Sequence, residues 1–161
     1  MNMRRFEAWV PYGLFIGGTE AVGALAGFLT RAGVKHYQAQ VVKPFLNPPP
    51  SVFPVVWSIL YALMGIGAAR VWKAEPSQTR SSALIVFGAQ LTMNFLWTIA
   101  FFNLRAYSFA FAWLVGLWFM ILLMILLFRR VDKTAGLLQI PYLLWVTFAG
   151  YLNFMVWLLN P

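Results

Sequence analysis

The chain has 161 residues, of which 61% are hydrophobic and 10% charged, against about 45–50% and about 25% in typical soluble domains. A soluble domain of this length has too little interior to bury so much apolar surface, so composition excludes an ordinary soluble fold and predicts a membrane protein. The absence of cysteine excludes disulfides and thiolate chemistry, and the net charge of +8 is typical of loops beside membrane helices rather than of a nucleic-acid partner.

Five segments are long and apolar enough to cross a bilayer, which takes roughly 20 mainly apolar residues. In chain order they cover residues 11–30, 52–69, 83–104, 106–128 and 135–159. Residues 1–7 form a short, charged segment, and the apolar run behind it is long enough to span a membrane. We therefore expect a first membrane helix here and not a cleavable signal. We therefore expect an all-α bundle of five transmembrane helices in a single domain, 1–161, whose first loop, 31–51, is long.

The twelve Lys and Arg residues divide unequally between the two ends of these spans. Eight lie on the N-terminal side: Arg4, Arg5, Arg70, Lys73, Arg80, Arg129, Arg130 and Lys133. Four lie on the other side: Arg31, Lys35, Lys43 and Arg105. The positive-inside rule then places the N-terminus in the cytoplasm and favours a bacterial inner membrane, with a mitochondrial outer membrane as the alternative.

Groups able to support acid–base or metal chemistry are few. The chain has four acidic residues, no two of them in one segment, and one histidine: Glu7, Glu20, Glu75, Asp132 and His36. Metal sites need several such ligands, and hydrolysis needs a base close to a nucleophile. We therefore predict no catalytic residues, no metal site and no required cofactor.

Glu20 is the one ionisable residue deep within a predicted span. Ionisable residues inside a membrane are costly and are candidates for function. Two interpretations stay open: a protonated carboxyl bonded to a neighbouring helix or lying near a water-filled cavity mouth, and a functional group.

Small residues recur four apart in the first span, as Gly13-x-x-x-Gly17 and Gly23-x-x-x-Gly27. Such spacing lets two helices approach closely. The pattern is consistent with tight packing inside the bundle and with a homodimer interface between two copies.

Uncharged polar and aromatic residues share faces of the third and fifth spans. Gln90 and Asn94 lie four residues apart, with Trp97 on much the same side, and this face must point inward because amides need partners in hydrocarbon. A similar stripe on the fifth span comprises Pro141, Tyr142, Trp145, Ala149, Leu152 and Asn153. Either a hydrogen-bonded core or an aromatic pocket for apolar ligands would explain both stripes.

These residues together resemble the TspO/translocator-protein family, also called tryptophan-rich sensory proteins or peripheral-type benzodiazepine receptors. The family's second-helix signature is resembled in this chain by Lys43-Pro44-x-x-x-Pro48-Pro49 followed by Trp57, Tyr61, Met64-Gly65 and Val71-Trp72. The third-helix signature is similar to Gln90-Leu91-x-x-Asn94-x-x-Trp97 with Phe101-Phe102. The fifth-helix signature is similar to Pro141-Tyr142-Leu143-x-Trp145-x-x-Phe148-Ala149 with Leu152-Asn153.

The resemblance implies a five-helix membrane protein, often dimeric, that binds porphyrins, sterols and benzodiazepine-type ligands in a cavity beneath the first loop. The resemblance implies a protein without enzymatic activity. Two alternative functions stay open: oxidative degradation of porphyrin through Trp57 and Trp145, and a dimeric regulatory scaffold. The expected partners are the bilayer, a porphyrin or haem-type tetrapyrrole or sterol-like molecule, and a second copy. The implied ligand-binding residues are Phe53, Trp57, Gln90, Asn94, Trp97, Phe109, Ala112, Trp145, Ala149 and Leu152.

The first loop departs from the family pattern at two positions. Leu46 and Ser51 stand where tryptophan is usual, so the lid over the cavity is expected to lose aromatic surface and the ligand preference to differ. The proline run Pro48–Pro50 is expected to be a stiff, extended lid that positions Phe53 and Trp57 over the cavity mouth. The aliphatic–Tyr–basic sterol motif also fails, because no basic residue follows Tyr151.

Overall fold

A computed structural model describes residues 3–161, with side chains from Glu7 onward. The helices are α1 (Met3–Gln40), α2 (Val52–Lys73), α3 (Gln78–Thr98), α4 (Tyr107–Val131), α5 (Lys133–Leu137) and α6 (Ile140–Leu159), and a π-helical turn (Ile99–Asn103) extends α3. Five helical stretches in the described chain are long and apolar enough to cross a membrane, which confirms the predicted five-helix fold. The side chains of Arg4 and Arg5, which contribute to the predicted orientation, lie outside the described residues.

Helix α1 continues ten residues beyond the predicted span, so the first connection shortens from 31–51 to 41–51 and remains the longest in the described chain. The inward face of α1 persists through this extension because Ala26, Thr30, Gly33 and Tyr37 are buried at helical spacing. A side chain at Gly33 would overlap the Phe102 carbonyl, so glycine permits a close approach of α1 to the π turn. Polar residues ended the predicted membrane span here, but they do not end the helix.

The π turn ends α3 and reverses the chain. It places Phe101 and Phe102 against Tyr37 of α1, with ring centroids 5.6 Å away in each case. Arg105 then adopts φ 54°, a left-handed conformation that few non-glycine residues take, and this produces the reversal predicted at that residue. Single π-helical turns within α-helices are frequent at functional sites.

The fifth predicted span is broken between α5 and α6. Pro141 lacks an N–H and its ring would collide with the carbonyl of residue 137 in a continuous helix, so it takes the first turn of a new helix instead. Asp132 caps α5 by accepting from the Ala135 amide at 2.8 Å, and it pairs with Arg70 of α2 at 2.9 Å. Burial raises the pKa of Asp132, but the Arg70 hydrogen bond and the Ala135 amide outweigh burial and hold this pKa below its ordinary value.

Helices α1 and α2 pack closely near the cytoplasmic end expected from the charges. A Cβ on Gly65 would lie 2.5 Å from Cα of Ile16, so only glycine allows this backbone contact. The Thr19 hydroxyl also donates to the Tyr61 carbonyl at 2.7 Å, which ties α1 to α2 by a buried hydrogen bond. This packing leaves the two helices joined at one end, and the cavity lies toward the other.

Candidate functional site

A cavity of about 720 Å³ lies beneath the first connection, enclosed by α1, α2, α6 and the end of α3. This volume is within the roughly 300–1,000 Å³ typical of small-molecule sites. Six of the ten predicted ligand-binding residues line it: Phe53, Trp57, Trp97, Trp145, Ala149 and Leu152.

Aromatic rings form much of the cavity wall. Phe53 meets Trp145 edge-on at 6.0 Å between centroids, and Trp57 packs against Tyr61 at 5.7 Å. The Trp97 indole donates to the Asn153 amide oxygen at 3.1 Å, which fixes the ring at the wall. Flat, rigid faces held in this way present an apolar surface to any planar molecule in the cavity.

The first connection, residues 41–51, covers one end of the cavity and is bonded to the helices on both sides. Asn160, near the end of α6, forms two hydrogen bonds of 3.0 Å with the backbone N–H and C=O of Val42. The Tyr37 hydroxyl donates to Asn47 at 2.9 Å. Pro54 lies in the first turn of α2, and Pro48 and Pro50 line the cavity. The loop is therefore a lid anchored to α1 and α6.

Gln90 and Asn94 point inward, as the amide argument predicts, but they lie outside the cavity lining. Both are fully buried and bond to Tyr142, which donates to the Gln90 oxygen at 2.8 Å and accepts from the Asn94 amide at 3.0 Å. The Tyr61 hydroxyl donates to the Asn94 oxygen at 2.8 Å. These two amides therefore belong to a hydrogen-bonded core and not to the lining of the aromatic pocket.

The resemblance places Phe109 and Ala112 in the binding site, but neither residue lines the cavity. The buried face of α4 runs through Ala110, Leu114 and Leu117, which turns both residues to the outside, where Phe109 is 54% exposed. In an all-apolar helix surrounded by lipid, hydropathy gives no signal for rotation about the helix axis.

The two positions where tryptophan is usual also lie outside the cavity lining. Leu46 and Ser51 are both exposed, Leu46 at 55%, and neither faces the cavity. The lid instead contributes Lys43, Asn47 and prolines to the lining.

Charged residues of the cavity are segregated along its length. Arg31 and Lys35 of α1 and Lys43 of the lid line the mouth, whereas Glu20 lies deeper and accepts from the Ser58 hydroxyl. No group of three His, Asp or Glu side chains gathers anywhere within the described residues. The basic mouth was not predicted as a site, because the sequence analysis placed Arg31 and Lys35 in the first loop, whereas they lie four residues apart on α1.

Comparisons with known proteins identify the family of the chain. The sequence profile of the TspO/MBR family matches residues 15–158. The chain is 40% identical over 152 residues to the "Tryptophan-rich protein TspO" of Chlorobaculum tepidum, covering 92% of this chain and 94% of the relative. It is 36% identical over 151 residues to the "Tryptophan-rich sensory protein" of Cereibacter sphaeroides, with 94% of each covered.

Similarity extends to animals, where the "Translocator protein" of Bos taurus is 30% identical over 155 residues, covering 92% of this chain and 89% of the relative. None of these three relatives carries the name of an enzyme. The profile covers most of the chain, and the five spanning helices make it an integral, multi-pass membrane protein. The chain belongs to the TspO/MBR family.

Proposed function

We propose that the cavity binds flat, apolar molecules, tetrapyrroles foremost, and that the protein acts as a non-enzymatic membrane receptor or transporter for them. The observation that carries the proposal is an aromatic-walled cavity of about 720 Å³ under an anchored lid. Its walls suit the planar ring system, and its basic mouth suits the carboxylates that porphyrins carry. A sterol would fit the apolar walls equally well but would leave Arg31, Lys35 and Lys43 without an anionic partner.

An unpaired donor at the wall supports a bound ligand. The indole N–H of Trp145 is buried and has no acceptor within the described chain. A buried donor left unpaired costs about 1–3 kcal/mol, which an acceptor atom on a ligand would offset if the ring turned its N–H toward the cavity. Trp145 is also packed against Phe53 of the lid side, so a ligand there would be sensed by both α6 and α2.

The test is saturable fluorescence quenching of the purified protein by protoporphyrin IX. We expect the Trp57→Phe/Trp145→Phe variant to bind about tenfold more weakly, since it loses indole contact area and the unpaired N–H. The matched control is Trp9→Phe/Trp157→Phe, which also removes two indoles but at exposed positions outside the cavity. Identical, unsaturable quenching in all three proteins would refute the proposal.

We also propose that a second copy packs against the face of α1 that carries Gly13 and Gly17. A Cβ at either position would meet nothing within 4 Å, so packing inside this bundle does not require glycine there. Glycine costs a helix roughly 1 kcal/mol relative to alanine, and a close helix–helix contact between copies would explain why that cost is carried. Gly23, by contrast, packs against the Tyr61 ring.

The basic residues support an N-terminus in the cytoplasm, in a bacterial inner membrane. Lys73 reaches the Ala8 carbonyl at 3.0 Å and Arg70 pairs with Asp132, so one end of the bundle gathers several of the cations. A C-terminal alkaline phosphatase fusion should be active and a C-terminal green fluorescent protein fusion dark, because the fifth span would end outside.

A further inference from the structure

Glu20 is the one acidic residue of the cavity lining and lies far from its basic mouth. Glu20, Ala24, Gly27 and Arg31 follow one stripe of α1 at positions i, i+4, i+7 and i+11, and all four line the cavity. At 1.5 Å per residue, about 16 Å of helix separates the carboxyl from Arg31. A ligand carboxylate held at the mouth therefore does not approach Glu20.

The wall beside Glu20 is built from mostly small residues of two adjacent helices, α1 and α2. Ala24 and Gly27 of α1 and Pro54 and Ser58 of α2 line the cavity, and each is also exposed. Ser58 lies one residue before Ile59, which is 57% exposed on the lipid-facing side of α2. Mostly small, exposed residues therefore line the side of the cavity between α1 and α2, and a lipid-facing side chain of α2 follows directly after Ser58.

The carboxyl of Glu20 is poorly satisfied. Among the side chains from Glu7 onward, the ion pair joins Arg70 to Asp132, and Glu20 has no basic partner. Its hydrogen-bond donor is the Ser58 hydroxyl, 3.2 Å from both carboxyl oxygens, which is long for an O–H···O bond. A carboxyl within a membrane span is costly without a charged or strong donor partner.

We propose that Glu20 is a recognition site for the ammonium group of amphiphilic amines that enter the cavity from the bilayer. An ammonium supplies three donors and the missing positive charge, whereas a hydroxyl would only repeat what Ser58 offers. The side of the cavity between α1 and α2 admits an apolar body from lipid, and the aromatic rings of the cavity receive it. This proposal rests on the cavity being a ligand site, and it names a ligand class distinct from anionic porphyrins.

The test compares two probes that differ in one group, 1-pyrenemethylamine and 1-pyrenemethanol, by energy transfer from tryptophan to pyrene in the purified full chain. We expect the wild type to prefer the amine by about ten- to a hundredfold, the range for a hydrogen bond to a charged group. Glu20→Gln keeps the shape of the side chain and should bind both probes alike, with alcohol affinity unchanged. Glu7→Gln, an exposed carboxyl outside the cavity, makes the same change of net charge and should keep the preference.

Two results would overturn the proposal: an undiminished amine preference in Glu20→Gln, or an equal loss of preference in Glu7→Gln, which would indicate a general charge effect. Protoporphyrin IX titrations of the same samples separate this failure from failure of the cavity as a site. Saturable porphyrin binding with no amine preference refutes only the role of Glu20. Failure of all three molecules to saturate refutes both proposals.

Discussion

Filling the cavity from its α6 wall should weaken ligand binding about a hundredfold without unfolding the protein. Ala149 is buried at 8% exposure between the cavity-lining residues Trp145 and Leu152. An Ala149→Trp substitution projects an indole into the cavity space. If that ring displaces about ten ligand atoms, each contributing about 0.3 kcal/mol, binding weakens by about 3 kcal/mol, or roughly a hundredfold.

The matched control is Ala112→Trp. The resemblance assigned Ala112 to the pocket as well, but the structure places it on the exposed outer face of α4. A surface substitution usually changes free energies by no more than about 0.5 kcal/mol, so affinity should stay within about twofold. Comparing the two variants therefore tests whether Ala112 faces outward, as in the structure, or faces the cavity, as the resemblance implies.

The assay is protoporphyrin IX titration of both variants and wild type in one detergent, after size-exclusion chromatography and thermal unfolding show that each is folded. Unchanged affinity in Ala149→Trp would refute the placement of the ligand in this cavity. Equal losses in both variants would refute the rotation of α4. Either outcome is informative because the two variants add the same side chain.

Three further predictions test the supports of the site. Tyr142→Phe removes a hydroxyl bonded to two buried amides and should lower stability by about 1–2 kcal/mol, more than Tyr61→Phe, which leaves one amide oxygen unpaired, as thermal unfolding in detergent would show. Because the folded-state pKa of Asp132 lies below its ordinary value of 3.8, its stabilisation exists above that pH and is lost as pH falls through the lower folded value. Asp132→Asn should therefore melt earlier than wild type near neutral pH, with a difference that shrinks below about pH 4; a difference that grows in acid would contradict the ion pair. Gly17→Leu should shift the protein from dimer to monomer in cross-linking, whereas Gly88→Leu, at another open glycine, should not; two identical profiles would contradict the α1 interface.

The sequence alone sufficed for the number of spans and for much of the cavity. Long apolar runs register directly in hydropathy, and the start of α2 at Val52 follows from the prolines before it. Polar residues inside a span also indicate which face of the helix points into the bundle. The prediction that Gln90 and Asn94 face inward is confirmed by their burial. Trp97 and Trp145 already lay on stripes found from helical spacing, whereas Phe53 and Trp57 followed from the family resemblance.

What could not be predicted depends on rotation, packing and local backbone geometry. Helix α1 continues to Gln40, beyond the residues that hydropathy marks as a membrane span. The continuation is held against the bundle by Thr30, Gly33 and Tyr37, which are buried at helical spacing. The π turn was not predicted from the sequence; it lies where the end of α3 closely approaches α1 at Gly33. The break before α6 was not predicted: Pro141 lies in the first turn of α6, but a proline alone does not decide the matter, because Pro11 lies inside α1 and that helix continues through it.

The buried amides serve the cavity even though they do not line it. Tyr61 lines the cavity with its ring while its hydroxyl bonds to Asn94, and Trp57 packs on both Tyr61 and Tyr142, with centroids 5.7 and 6.2 Å away. The hydrogen-bonded core is thus the floor that holds Trp57 in place. A buried polar network with every group bonded has few alternative arrangements, so it fixes the ring above it more firmly than apolar packing would. The hydrogen-bonded core and the aromatic pocket, which the sequence offered as alternatives, are therefore two layers of one site.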